Sequence, residues 1–92
     1  MLIEAIIIGN QIIGKYSIVF YIGEKRVRKV GEEDKLDKAR IRLGEYLLKE
    51  RKYDEDRIVN HLVIDENQEI YDIEPRTVKW LLKGGSKKKL ID

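Results

Sequence analysis

The chain has 92 residues, enough for one domain, and a chain of this size buries roughly 60–65% of its unfolded surface in one modest core. It is 42% hydrophobic and 39% charged, with a formal net charge of +2. That composition excludes simple disorder, and any nucleic-acid reading must rest on where the charges sit rather than on their sum. With no cysteine, disulfides, iron–sulfur clusters, cysteine zinc sites and thiol nucleophiles are excluded together.

Lysine and glutamate dominate the charge. Isoleucine is in excess, while Asn, Gln, Met and Thr are scarce. This is the pattern of a hyperthermophile protein. Residues 1–5 lack a basic segment and carry Glu4, which argues against a signal peptide. No apolar run approaches 18 residues, so no membrane span or membrane partner is expected. A domain this small without staples points to a cytoplasmic location.

In chain order, residues 2–8 and 11–22 read as two strands rich in β-branched residues, joined at Gly9-Asn10 by a tight primed turn. That register sets Ile7 opposite Ile12 and Glu4 opposite Lys15. It gathers Ile3, Ala5, Ile7, Ile12, Tyr16, Ile18, Phe20 and Ile22 on a core face. The other face carries Ile6, Ile8, Ile13 and Val19, and is too apolar to be simply solvated. Gly23-Glu24 turns the chain into a short basic strand, Lys25 to Val30, suited to a guarded sheet edge. Here Arg26 is expected opposite Tyr21 and Arg28 opposite Val19, both outward, with Val27 in the core. Lys25 and Lys29 would then point inward unless a bulge shifts the register.

Glu32-Glu33-Asp34 opens a helix that runs to about Lys52, acids first and bases last as its dipole prefers. Leu36, Ala39, Leu43, Tyr46 and Leu47 form its buried stripe. Gly44 in mid-helix implies a close approach to the sheet or to another helix. Residues 57–64 fit helix or strand by period; their β-branched density favours a strand. A turn over Asp65–Gln68 leads into a strand over Glu69–Ile73. Pro75 at a first helical position and Gly84-Gly85 at the stop bracket a last helix.

The fold expected is therefore α+β: an antiparallel β-meander packed by one long helix, followed by a β-hairpin and a short C-terminal helix. One domain spans residues 1–83 and a flexible basic tail spans 84–92.

No catalytic site, metal site or cofactor is read from the chain. His61 is the only histidine, and Asp65, Glu66 and Asp72 lie nearby in the sequence. Such turn acids beside a strand histidine are commonplace. The order hairpin, third strand, helix, strand is similar to the start of a ribonuclease H fold. The first strand's only acid is Glu4, however, where that chemistry needs Asp, so the reading is rejected. The acid-interleaved helix face of Lys35, Lys38, Arg42, Lys49 and Lys52 reads as a solvated, ion-paired surface.

Two functional readings remain. One is a small, non-enzymatic, dimeric accessory or regulatory protein that binds DNA or RNA. Tyr21, Lys25, Arg26, Arg28 and Lys29 would combine a stacking ring with cations, and Lys87, Lys88 and Lys89 would add a mobile basic arm. The plain alternative for the ribbon is edge protection. The other reading is a protein-interaction module, an inhibitor or assembly adaptor, working through Ile6, Ile8, Ile13 and Val19. A homodimer would cover that patch.

Overall fold

A computed structural model describes residues 2–85. Six strands and two helices follow one another: β1 (Ala5–Asn10), β2 (Lys15–Ile22), β3 (Lys25–Glu33), α1 (Leu36–Lys49), β4 (Ile58–Asp65), β5 (Ile70–Asp72), β6 (Pro75–Thr77) and α2 (Val78–Leu82). The α+β class holds. The meander and the second hairpin are one sheet, however, ordered β3-β2-β1-β4-β5 with β6 also on β4. They join because β4 pairs parallel to β1, with Ala5 beside His61 and Gly9 beside Asp65. Residues 57–64 are thus largely strand, and β4 alternates buried and half-buried positions from Val59 to Asp65.

The first turn is wider than the expected two residues. Asn10 pairs with Lys15, and the Asn10 Oδ1 accepts from the Ile12 and Ile13 amides at 3.0 and 3.3 Å. An Asx turn therefore replaces the Gly-Asn turn. Ile12 is 88% exposed rather than core, and Ile13 sits in the turn, off the sheet face. The partner of Ile7 moves from Ile12 to Ile18. That is an even shift, so the alternation of the two faces is kept, although Ile22, expected in the core, is exposed at the end of β2. Ala5, Ile7, Ile18 and Phe20 do line the core.

On β3, bulges near Ile18/Val19 and Phe20/Tyr21 set Lys29 opposite Val19, Arg28 opposite Phe20 and Arg26 opposite Tyr21. Lys29 faces outward as a bulge would allow. Arg28 lies on the helix side instead of the outer face, and Val27 is 43% exposed instead of core.

The helix starts later than expected, because Glu32 and Glu33 end β3. Its stripe of Ala39, Leu43, Tyr46 and Leu47 is buried, with Leu36 packed at the margin. The second hairpin continues through β6. The Val63–Asp72 and Asn60–Pro75 pairs keep one register, so β5 and β6 are halves of one edge strand. Pro75 belongs to that edge, where a missing N–H costs little. It is not the first residue of α2. Thr77 caps that helix, its Oγ1 accepting from the Trp80 amide at 3.1 Å.

Gly84 and Gly85, at positive φ, are buried against α1 rather than beginning a loose tail. The remaining tail residues, Lys87, Lys88 and Lys89 among them, lie outside the described residues.

Both helices lie on one side of the sheet. Val78 and Leu81 of α2 share a core with Val59 and Val63 of β4 and with Leu43 and Leu47 of α1. Gly44 is where α1 and α2 touch: a Cβ there would stand 3.0 Å from the Leu82 backbone nitrogen. Gly44→Val should therefore cost about 1–3 kcal/mol through overpacking. Urea denaturation measures it, and an unchanged midpoint would contradict this close packing.

Candidate nucleic-acid interface

α1 runs back along β2 and β3, so its last turn arrives at the end of the molecule where β2 turns into β3. The basic residues of two distant segments meet there. Arg28 stands over the Tyr46 ring with its Cζ 5.7 Å from the centroid. Arg51, just past α1, covers Phe20 at 5.0 Å. Arg57, entering β4, stacks on Tyr53 at 3.9 Å. Such stacking holds a guanidinium in place while leaving N–H donors for a ligand. Between Arg51 and Arg57 lies a cleft of about 360 Å3 whose wall includes Phe20, Tyr21 and Tyr53.

Glu4 is the acid within this cleft. Its Oε1 accepts from the Asn60 amide at 3.0 Å, and its Oε2 is 3.7 Å from Arg57. Burial first, and the Glu4 carboxylate second, push the Tyr53 phenol above its ordinary value. It is therefore a neutral hydroxyl at physiological pH.

The residues expected from the sequence divide. Tyr21 and Arg26 are cross-strand partners on the outer face at this same end. Lys25 pairs with Ile22 at the tip. Arg28 is on the helix side, within reach of Tyr46 and Lys49. Lys29 lies farther along β3 and is held by Glu32 at 2.6 Å. That contact lowers the Glu32 carboxyl below its usual range. Arg51, Tyr53 and Arg57 were not singled out from the sequence. Their signal was the direction of α1, which returns a basic last turn to the β2–β3 end.

The isoleucine face is also built. Ile6 lies beside Val19 and Leu62, and Ile8 lies between Ser17 and Ile64. Ile70 continues the row on β5. Ile13 is not part of it.

His61 belongs to neither surface. It is fully buried under α2, its ring edge-on to Trp80 at 6.1 Å. The Asp72 Oδ2 is 3.5 Å from its Nε2, but that carboxylate is engaged by Arg40 at 3.2 Å and Arg76 at 3.3 Å. Both guanidiniums also lie over Trp80. Burial lowers the His61 pKa; Asp72 opposes that fall, while Arg40 and Arg76 add to it. The ring is therefore neutral at pH 7, and its contact with Asp72 is no ion pair. Among the described residues, no three His, Cys, Asp or Glu side chains come together as a metal site would require.

The chain matches no family model, no curated protein and no solved structure.

A folded-state His61 that resists protonation makes the folded chain bind fewer protons than the unfolded one. Its contribution to stability is complete above the ordinary histidine value of 6.5 and is lost as pH falls below it. Urea denaturation between pH 5 and 8 should show this loss in the parent chain and a shallower one in His61→Leu. Parallel curves would refute it.

Proposed function

We propose that this chain binds nucleic acid, single strands in preference to duplex, through the end that carries Tyr21, Arg26, Arg28, Arg51 and Arg57. The observation that carries this reading is the set of three arginines, each laid on a ring, with two of them flanking one aromatic-walled cleft. Guanidiniums fixed in this way offer N–H groups to phosphates and flat faces to unstacked bases. A duplex buries its base faces and could use only the charges. The role that fits is that of an accessory or regulatory protein.

Anisotropy titrations with labelled single-stranded DNA, RNA and duplex at about 50 and 200 mM salt test it. Affinity should fall steeply with salt. Each of Arg28→Ala, Arg51→Ala and Arg57→Ala should reduce the single-strand log–log salt slope by roughly 0.7 for every phosphate it leaves unneutralised. No binding at the lower salt overturns the proposal, and so does binding that the three substitutions together leave unchanged.

A second reading is favoured by the placement of both helices on one side of the sheet. The opposite face then carries Ile6, Ile8, Leu62 and Ile64, each half-buried, around a Val19 that is already buried, and neither helix packs on it. The occupant we propose is a second copy of this chain, sheet to sheet. The molecule measures 33 × 32 × 23 Å, and two stacked layers are thinnest across the stack. The outline of that face, at most 33 × 32 Å, has room for the roughly 800 Å2 that each partner gives to a standard interface. Sedimentation equilibrium should return twice the chain mass, and Ile8→Glu should return the single mass with the same circular dichroism. A parent chain that is monomeric throughout the concentration range removes this reading and leaves the nucleic-acid one standing.

A further inference from the structure

At the end of the sheet opposite the basic cleft, one row of residues crosses three strands. Tyr16 of β2 lies beside Gly9 of β1 and Gly9 beside Asp65 of β4, while Tyr71, at the register shift between Ile70 and Asp72 of β5, brings its hydroxyl to Asp65. A cavity of about 250 Å3 opens over this row, with Asp34 at its rim where the chain enters α1. It lies just outside the carboxyl ends of the adjacent parallel strands β1 and β4. That is where open sheets with parallel strands place their ligands.

Asp65 is only 7% exposed, although it carries a carboxylate. Its Oδ1 accepts from the Asn67 and Glu69 amides at 2.8 and 2.9 Å, which fixes the side chain. Its Oδ2 has the Tyr71 hydroxyl at 3.5 Å, long for an O–H···O bond. The second carboxylate oxygen, beside the cavity, therefore keeps most of its acceptor capacity.

The two tyrosines flank it. Gly9 lets the Tyr16 ring settle against the strand: a Cβ there would come 2.8 Å from the Tyr16 Cε1. The Asp65 charge is the main cause that raises the Tyr71 phenol, so that hydroxyl stays protonated beside it. Lys15 also borders the cavity, but it belongs to the outer face, where its charge acts on Glu32. Net negative charge thus remains at the cavity.

We propose that this cavity is a binding site for a small organic cation, a protonated amine or guanidinium on a short alkyl chain. Asp65 supplies the counter-charge and Tyr16 and Tyr71 the walls. A charge-assisted bond to Oδ2 would complete the acceptor set, and the ring faces attract a cation. Anions are repelled by Asp65 and Asp34. A neutral ligand of the same shape gains none of the charge term. The volume lies below the roughly 300–1,000 Å3 of pockets that take drug-sized molecules, so the ligand is small. It could be a free diamine, or a lysine or arginine side chain of a partner.

The test is a titration of the 15N-labelled chain with putrescine, agmatine and capped lysine and arginine (N-acetyl, N-methylamide), with 1,4-butanediol as the neutral control, all at constant ionic strength. The amides of Gly9 and Gly14, which line the cavity, should shift saturably with at least one cation and not with the diol. Asp65→Asn keeps the acceptor for the Asn67 and Glu69 amides and removes the charge. It should weaken binding at least tenfold. Tyr71→Ala, at a half-exposed position where folding is not at stake, should weaken it severalfold. Binding of the diamines alone identifies a free ligand, and binding of the capped residues identifies a partner side chain. The absence of saturable shifts with every cation overturns the proposal, as does binding that both variants retain at parental strength.

Discussion

The parallel pairing of β1 with β4 is the constraint on which the rest of the molecule depends. Without it the chain would be a three-stranded meander and a separate short hairpin, with the core divided between them. With it, β1 becomes a central strand, hydrogen-bonded on both edges. Isoleucine on both faces of β1 then has a physical account. One face packs under α1 and α2, and the other forms the middle of a broad sheet surface. The same pairing sets Gly9 beside Asp65 and brings Glu4 to Asn60, so it builds both ends of the molecule.

Those ends differ in charge because of chain direction. β3 leaves its basic half near the β2–β3 turn and its acids near the start of α1. α1 then runs back, delivering Lys49 and Arg51 to the basic end. The acids that suit the start of a helix and the bases that suit its end thus also polarise the whole domain. A net charge of +2 conceals this separation. The arginines at the basic end lie on rings, with Glu4 standing 3.7 Å from Arg57, and their stems cover Phe20 and Tyr53.

Beneath α2 the opposite arrangement holds. Arg40, Arg76 and Asp72 form a compact polar cluster around Trp80, closed off from the two surfaces. Nitrogens of Arg40, Arg76 and His61 are buried there without hydrogen-bond partners. Such a cluster contributes little net stability and fixes geometry instead, since a buried ion pair must offset its own desolvation. It locks β5 and β6 to α1 and so closes the edge of the sheet.

Much of this was legible from the chain. The alternation of β-branched residues assigned the faces of β1 and β2, and it survived a wrong turn because the error in register was even. The amphipathic stripe of α1 and the close approach at Gly44 followed from the 3.6-residue period and from glycine's cost in a helix. The Asx turn at Asn10, the bulges of β3 and the cap at Thr77 did not follow. Each is a local contest between near-equal backbone choices that the packed neighbours decide. Farther from reach were β4 beside β1, Arg51 and Arg57 beside Tyr21, and Tyr16 and Tyr71 about Asp65. Sequence by itself determined which residues are apolar, which way each strand faces and where the charges fall along the chain. Only the tertiary structure decided which of them meet, because a strand's pattern states what it must bury but not which edge it will pair with.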